Sequence, residues 1–279
     1  MRPFTPGHAS GYPPLSVPAS APASASASVP ASAPGSFHLD IPALRSVDAA
    51  AEQAWNDLQL AAPVREPIAR LWRYPQAAVV LGRSQRALLP SLDSGRHRIV
   101  ERAAGGGAVL VGPWMLGASV VLPLAHPLVA GESLADSYRW LGELFVAALA
   151  GHGVTAVAMP RARVRKAPAD LAWACFAGMS PWEVAVDDRK LVGFAQRRAR
   201  HGVLLVAGAL LSPVPWALLC EAMNRPAAQA LELASATIDA SELIGRPLAA
   251  EALADSVASL LGQAAHGANA PPCPIAKGW

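Results

Sequence analysis

Between Val17 and Gly35 the chain is written almost entirely in proline, alanine and serine, and this stretch limits what the rest can build. Fixing one residue's backbone costs about 1–2 kcal/mol of entropy, which only buried surface and paired polar groups offset. A segment with almost no large apolar side chains cannot recover that cost, so residues 1–37 are read as a disordered tail. The fold must come from the roughly 230 residues that follow, enough to bury about 70% of their unfolded surface without a metal or disulfide. Residues 38–265 are expected to form one domain, and 266–279 a flexible C-terminal tail.

Of the 279 residues, 53% are hydrophobic and 15% charged, but much of the apolar share is alanine. Eight tryptophans supply real core volume, so disorder of the whole chain is excluded. The longest apolar runs, such as Val203–Leu211, fall short of the ~18–20 residues a membrane span needs. Prolines at positions 3, 6, 13, 14 and 18 interrupt any signal-peptide core. The three cysteines, Cys175, Cys220 and Cys273, are widely spaced and form neither a metal motif nor a disulfide framework. A reducing cytoplasm is the expected location. Net charge is only +3, and of 23 basic residues only Lys166, Lys190 and Lys277 are lysines, so each lysine stands out. Two basic runs, Arg161–Lys166 and Arg189–Arg200, would suit phosphates, acidic carrier proteins or nucleic acid. Without interleaved aromatics or a helix-turn-helix signature, nucleic acid ranks last. No nucleic-acid or membrane partner is expected.

Periodicity predicts a helix over Asp48–Leu60, with Ala51, Trp55, Leu58 and Ala62 on its apolar face. A strand is expected within Arg70–Leu81, stopped by Gly82. Short strands follow at Arg98–Arg102, Ala108–Val111 and Ala118–Leu122, then a helix over Glu132–Gly151 with Leu134, Tyr138, Leu141, Phe145 and Leu149 inward. After a strand at Val154–Met159, the segments Trp182–Val186, Lys190–Ala195 and Val203–Leu211 read as a meander. Helices at Trp216–Met223 and Ala249–Leu261 close the domain. Strands and helices without regular alternation argue for an α+β fold, a mixed sheet flanked by helices.

Three features can carry chemistry. Gly105, Gly106 and Gly107 free the backbone for close approach to a ligand, although they lack both the Walker and the dinucleotide spacing and equally suit a plain turn. Asp187-Asp188 favours a hairpin turn that places Lys190 at the start of a strand. There its ammonium could meet a developing anionic oxygen, or simply sit exposed. Cys175, between aromatic residues, is either a small buried hydrophobe or a nucleophile activated by nearby positive charge. No H-x-x-x-H, H-E-x-x-H or G-x-S-x-G arrangement occurs, and no metal site is expected.

In order along the chain, Val79-Val80-Leu81-Gly82-Arg83-Ser84-Gln85, Glu101-Arg102-Ala103-Ala104-Gly105-Gly106-Gly107-Ala108-Val109 and Arg189-Lys190-Leu191-Val192-Gly193-Phe194-Ala195-Gln196-Arg197-Arg198 resemble the biotin/lipoate protein ligase catalytic family. The likeness is to its lipoate–protein ligase and octanoyltransferase branch, over residues 40 to 225. It implies a class II aminoacyl-tRNA synthetase-like α+β domain that attaches lipoyl or octanoyl groups to a lysine of a lipoyl domain or H-type carrier protein. Arg102 and Gly105–Gly107 would hold the acyl head group, with Arg83, Gln85, Gly193, Ala195, Gln196 and Gly208 as further binding positions. Lys190 matches the lysine that contacts the acyl carbonyl. The segment Ala174–Glu183 looks like the one that carries the acyl-accepting cysteine of an octanoyltransferase subgroup, which makes Cys175 the thioester nucleophile.

Two routes follow from the resemblance. Acyl transfer from an acyl-carrier protein through Cys175 needs no cofactor. ATP-dependent ligation of free lipoate or octanoate needs ATP and Mg. The chain lacks a Gly-Arg-Asn-Asp-like ligase segment and a sizeable accessory domain, and both favour transfer. Four positions depart from the family pattern: Glu101 for arginine, Ala104 for serine, Phe194 for serine and Ala207 for histidine. Each removes a polar group or adds bulk where a pocket is expected, so a non-catalytic lipoyl- or biotinyl-binding module is the other alternative.

Overall fold

A computed structural model describes residues 38–265. The proposed tails 1–37 and 266–279, with Cys273 and Lys277, lie outside the described residues. Ten strands form two sheets. The larger has the order β1-β2-β6-β10-β9-β8-β7, and the smaller β4-β3-β5. In the large sheet only β1 (His38–Ser46) and β2 (Ile68–Arg73) run parallel. Antiparallel pairs join β2 to β6 (Met115–Leu122) and β6 to β10 (Gly202–Leu210). The antiparallel pattern continues through β9 (Arg189–Ala199), β8 (Val184–Val186) and β7 (Val157–Ala158). The small sheet holds β3 (Ala78–Leu81), parallel to β4 (Ile99–Glu101) and antiparallel to β5 (Val109–Val111). Mixed sheets and peripheral helices make the α+β fold expected from the element pattern.

The last three strands of the meander pair as expected, and their turn chemistry explains why. Asp187 and Asp188 have φ of 48° and 61°. Both central residues of a type I′ hairpin need positive φ, which aspartate tolerates. The result joins β8 to β9 and sets Lys190 opposite Ala185.

Elsewhere the periodicity misled. The run from Arg70 to Leu81 is not one strand. It divides at Tyr74–Ala77 into β2 and β3, which enter different sheets. Likewise β5 and β6 flank Gly112-Pro113 without pairing. The helix expected from Glu132 begins later: a 3-10 turn at Asp136–Tyr138 leads into α2 (Arg139–Ala150), and Leu134 is 61% exposed. Unforeseen elements are β1, α4 (Gln229–Ala236) and α5 (Ala240–Ile244). Helices α3 (Trp216–Ala222) and α6 (Ala250–Ala265) fall close to their expected spans.

Alternation along β2 shows the layering. Arg73 pairs with Glu251 of α6, whereas Trp72 packs edge-on against Trp55 of α1 (Ala49–Gln59), ring centroids 5.4 Å apart. Successive strand residues face opposite sides, so α6, with α2 beside it, covers one face and α1 the other.

The first helix is the informative discrepancy. Asp48 caps it, accepting a hydrogen bond from Ala51 N at 2.8 Å. Its buried residues, however, are Ala49, Glu52 and Asn56, while Leu58 is 68% exposed. The helix turns polar side chains inward, against the apolar-face rule, because that face borders a cavity.

Candidate active site

Glycine lets the end of β3, the loop after β4 and the Trp173–Cys175 segment approach one another. A Cβ on Gly82, at the end of β3, would lie 1.8 Å from Gly106 O, and one on Gly107 would lie 2.5 Å from Trp173 O. Gly106 has φ +97°, a conformation that favours glycine. These close approaches dock the glycine loop onto the Cys175 segment. Ala108 N donates to Trp173 O at 2.8 Å, and Cys175 N donates to Ala108 O at 2.9 Å. Gln85 closes the junction, its Nε2 donating to Trp173 O at 2.8 Å while Oε1 accepts from Gly82 N at 3.4 Å.

Arg102 follows β4 and is buried. Its Nε donates to Gly105 O (3.2 Å) and Nη2 to Gly107 O (2.9 Å), and Nη2 lies 3.9 Å from Cys175 Sγ. The glycine carbonyls thus hold the guanidinium, and the guanidinium faces the sulfur.

Lys190 is 2% exposed. Its ammonium pairs with Glu183 Oε2 at 2.7 Å and donates to Cys175 O at 2.9 Å, with the Phe176 ring 5.4 Å away. Glu183, also 2% exposed, is fully occupied: Oε2 accepts from Ser180 N at 2.6 Å and Oε1 from Phe194 N at 3.1 Å. Trp182 supports this arrangement with φ 69°, unusual for a bulky residue. Its indole donates to Asp136 at 3.1 Å and packs under the Arg139 guanidinium. Arg161, Ser133 and Trp182 all donate to Asp136 and hold its carboxyl well below the usual range.

Cys175 and Arg102 line a cavity. Val80, Val109, Val111, Met115, Leu204 and Val206 give it an apolar wall, and Glu52, Asn56 and Tyr74 a polar one. Tyr74 donates to Glu52 Oε2 at 2.8 Å, and burial raises the Glu52 carboxyl to about 6. Burial and the neighbouring Glu52 push the Tyr74 phenol well up.

The expected site residues therefore divide. Arg102, Cys175, Gly193, Ala195 and Gly208 border the cavity. Gly105–Gly107 are not in its wall but support Arg102 from behind. Gln85 is a bridge between loops, and Arg83 is exposed, its main-chain N donating to Ala104 O. Gln196 turns to Ser137 Oγ at 2.8 Å. Lys190 reaches the main chain of the cysteine through a salt-bridged ammonium. Cys220 is buried in α3, and burial raises its thiol.

Of the four departures, Ala104, Phe194 and Ala207 line the cavity and Glu101 does not. Glu101 pairs with Arg86 instead of facing it. Phe194 and Ala207 are cross-strand partners, with Ala118 opposite Ala207 on its other side. The small alanines leave room for the Phe194 ring, which stacks on Tyr138 at 5.7 Å and leans on Phe145. Neither Ala104 nor Ala207 adds a polar group to the cavity wall. Sequence reading missed Glu183, Glu52, Asn56 and Tyr74. The only signal was polarity at helix and loop positions that topology later buries.

Among the described residues no group of three His, Cys, Asp or Glu side chains is placed to hold a metal ion, and no helix is long and apolar enough to cross a membrane.

Fold and site together define an α+β domain in which a thiol, faced by a guanidinium, opens onto a partly apolar cavity between two sheets. The chain belongs to the lipoyl protein ligase A/B catalytic domain family, which it matches over residues 48–256. It is 32% identical over 211 residues to an octanoyltransferase LipM of Kyrpidia tusciae, covering 70% of this chain and 76% of that protein. Its fold is shared with a lipoate-protein ligase A bound with ATP (TM-score 0.56, 17% identity, 81% of this chain and 82% of that one). It is shared too with a bipartite lipoate protein ligase of Thermoplasma acidophilum, solved with its E2 lipoyl domain (TM-score 0.56, 16% identity, 84% and 85%).

Proposed function

We propose that this protein transfers an octanoyl group from a carrier-protein thioester, through Cys175, to a lysine of a lipoyl domain or H-type carrier protein. The observation that carries this reading is the Arg102 guanidinium 3.9 Å from Cys175 Sγ at the head of the cavity. The same guanidinium can donate to an anion that develops on the sulfur as bonds to it form and break. The LipM relatives and the family match support the same chemistry.

In the first exchange Cys175 sulfur attacks the acyl carbonyl carbon. The new S–C bond replaces the bond to the carrier's sulfur, which leaves and takes up a proton. In the second, the neutral amine of the acceptor lysine attacks the same carbon. A C–N bond forms, the C–S bond to Cys175 breaks, and the amine proton passes to the departing sulfur. Arg102 stabilises the sulfur anion at both stages, and Lys190 with Glu183 fixes the main chain of Cys175. The apolar wall takes the acyl chain.

Intact mass after incubation with octanoyl-carrier protein tests the reading. One octanoyl group should be gained, lost in Cys175→Ala and kept in Cys220→Ala. An unmodified enzyme that acylates its acceptor only with ATP and Mg would overturn the transfer route in favour of ligation. Binding of a lipoylated domain without turnover under either condition would leave a binding module.

A further inference from the structure

Of the two arginine-rich runs, the second is largely neutralised inside the molecule. Arg189 pairs with Glu242, Arg197 with Asp57, and Arg198 donates to the carbonyls of Val129 and Glu132. In the first run Arg161 and Arg163 are matched by Asp136 and Asp188. Arg165 and Lys166 are not. Both are exposed, and among the described residues neither side chain has an ion pair or hydrogen bond.

Their main chain, by contrast, is fixed to the Cys175 segment. Met179 N donates to Arg165 O at 2.7 Å, and a Cβ on Gly178 would lie 2.8 Å from Ala167 N. The ribbon therefore lies against the chain three and four residues past the cysteine. Two residues before it, the exposed Arg225 stands over the Trp173 ring, 5.4 Å from the centroid, with no carboxylate partner among the described residues. Glu221, close by in sequence, is taken by Arg96. Three cations without carboxylates thus flank the Cys175 segment at both ends. Asp170 is the one carboxylate between Lys166 and Cys175, so the local excess stays positive. The six steps from Trp173 to Met179 span at most about 20 Å. A standard interface covers about 800 Å² of each partner, roughly 30 Å across, so one docked protein reaches both ends.

Charge decides which protein that is. The acceptor lysine brings a positive tip of its own, which this surface repels. The donor's thioester arm is joined to its protein through an anionic phosphodiester. Attraction between oppositely charged surfaces raises association rates by roughly 10- to 1000-fold.

We propose that Arg165, Lys166 and Arg225 form the docking surface for the carrier protein that donates the acyl group, engaging an acidic face of that protein beside its thioester arm. This rests on the acyl-transfer reading and assigns a surface to the donor, not to the acceptor.

The test compares two donors to the full chain at low salt: octanoyl-carrier protein, and octanoyl-pantetheine, which has neither the protein nor the phosphate. The octanoyl adduct on Cys175 is followed by intact mass. Arg165→Glu combined with Lys166→Glu should slow acylation by the carrier protein roughly 10- to 100-fold and leave the pantetheine rate unchanged. Arg225→Gln should give a smaller loss with the same selectivity. Added salt should slow the wild type with the carrier and have little effect on the double variant. Titration of octanoyl-carrier protein into Cys175→Ala, with and without the two charge reversals, should show the same loss as a weaker Kd. Carrier acylation at the wild-type rate, an equal loss with both donors, an unchanged Kd, or a loss confined to the later transfer from Cys175 to a lipoyl domain would each overturn the inference. If neither donor acylates the wild type, the acyl-transfer reading has failed and the inference with it.

Discussion

Lys190 is placed otherwise than its sequence position suggests. A lysine at the start of a hairpin strand is ordinarily solvated, and by family likeness it would meet an acyl oxygen. Here its ammonium is buried against Glu183 and the carbonyl of Cys175. Breaking a buried ion pair by removing one partner leaves an uncompensated charge, which typically costs about 3–5 kcal/mol. Lys190→Ala should therefore destabilise the fold by about that amount in urea unfolding, and Lys190→Ala combined with Glu183→Ala by less than the sum of the two single changes. Equal stability of Lys190→Ala and wild type would show that the pair holds nothing together. At this scale sequence alone singled out a lysine, an arginine and a cysteine that the fold brings together. It did not see Glu183, because a glutamate just before a short strand carries no mark of the lysine it will neutralise.

At the scale of elements, the seat of the glycine loop between the end of β3 and the Cys175 segment depends on glycines that are not equivalent. A Cβ at Gly82 collides with the Gly106 carbonyl, and one at Gly106 would both strain a φ of +97° and lie 2.8 Å from Arg102 Nη2. At Gly105 nothing lies within 4 Å of the added atom. Gly82→Ala and Gly106→Ala should thus lose acylation of Cys175, through displacement of Arg102 and the cysteine segment. Gly105→Ala should keep most of it. Octanoyl adducts of the three variants, measured side by side by mass, decide this, and equal tolerance at all three positions would contradict it. The glycine run is plain in the sequence, but the ranking within it comes from β3 and the Trp173–Cys175 segment pressing on two sides. The division of Arg70–Leu81 between two sheets was invisible for a related reason. Alternation marks a strand but says nothing about which sheet it will join.

For the molecule as a whole, the buried cavity wall should appear in its pH dependence. Glu52 faces Tyr74, Asn56 and Gln53, with Arg102 acting from the loop after β4, and its folded value of about 6 lies above the ordinary 4.5. The native state therefore holds this proton more tightly than the unfolded chain. The resulting stabilisation is complete below pH 4.5 and disappears as pH rises through 6. One and a half pH units correspond to about 2 kcal/mol. Glu52→Gln accepts the same tyrosine hydrogen bond without titrating. Its stability relative to wild type should rise by about 2 kcal/mol between pH 4.5 and pH 7.5, as measured by urea unfolding across that range. A pH-independent difference would mean that Glu52 is not shifted.

By itself the sequence determined the α+β class, the hairpin that carries Lys190 and the family. These rest on local chemistry: turn residues, strand alternation and glycine runs. Only the tertiary structure decided that Arg102 faces the sulfur, that Lys190 is spoken for by Glu183, and that α1 buries Glu52 and Asn56 in place of its apolar stripe. Each of these joins residues 7 to 73 positions apart or reverses a local preference. They arise because two sheets and a helix close around one cavity.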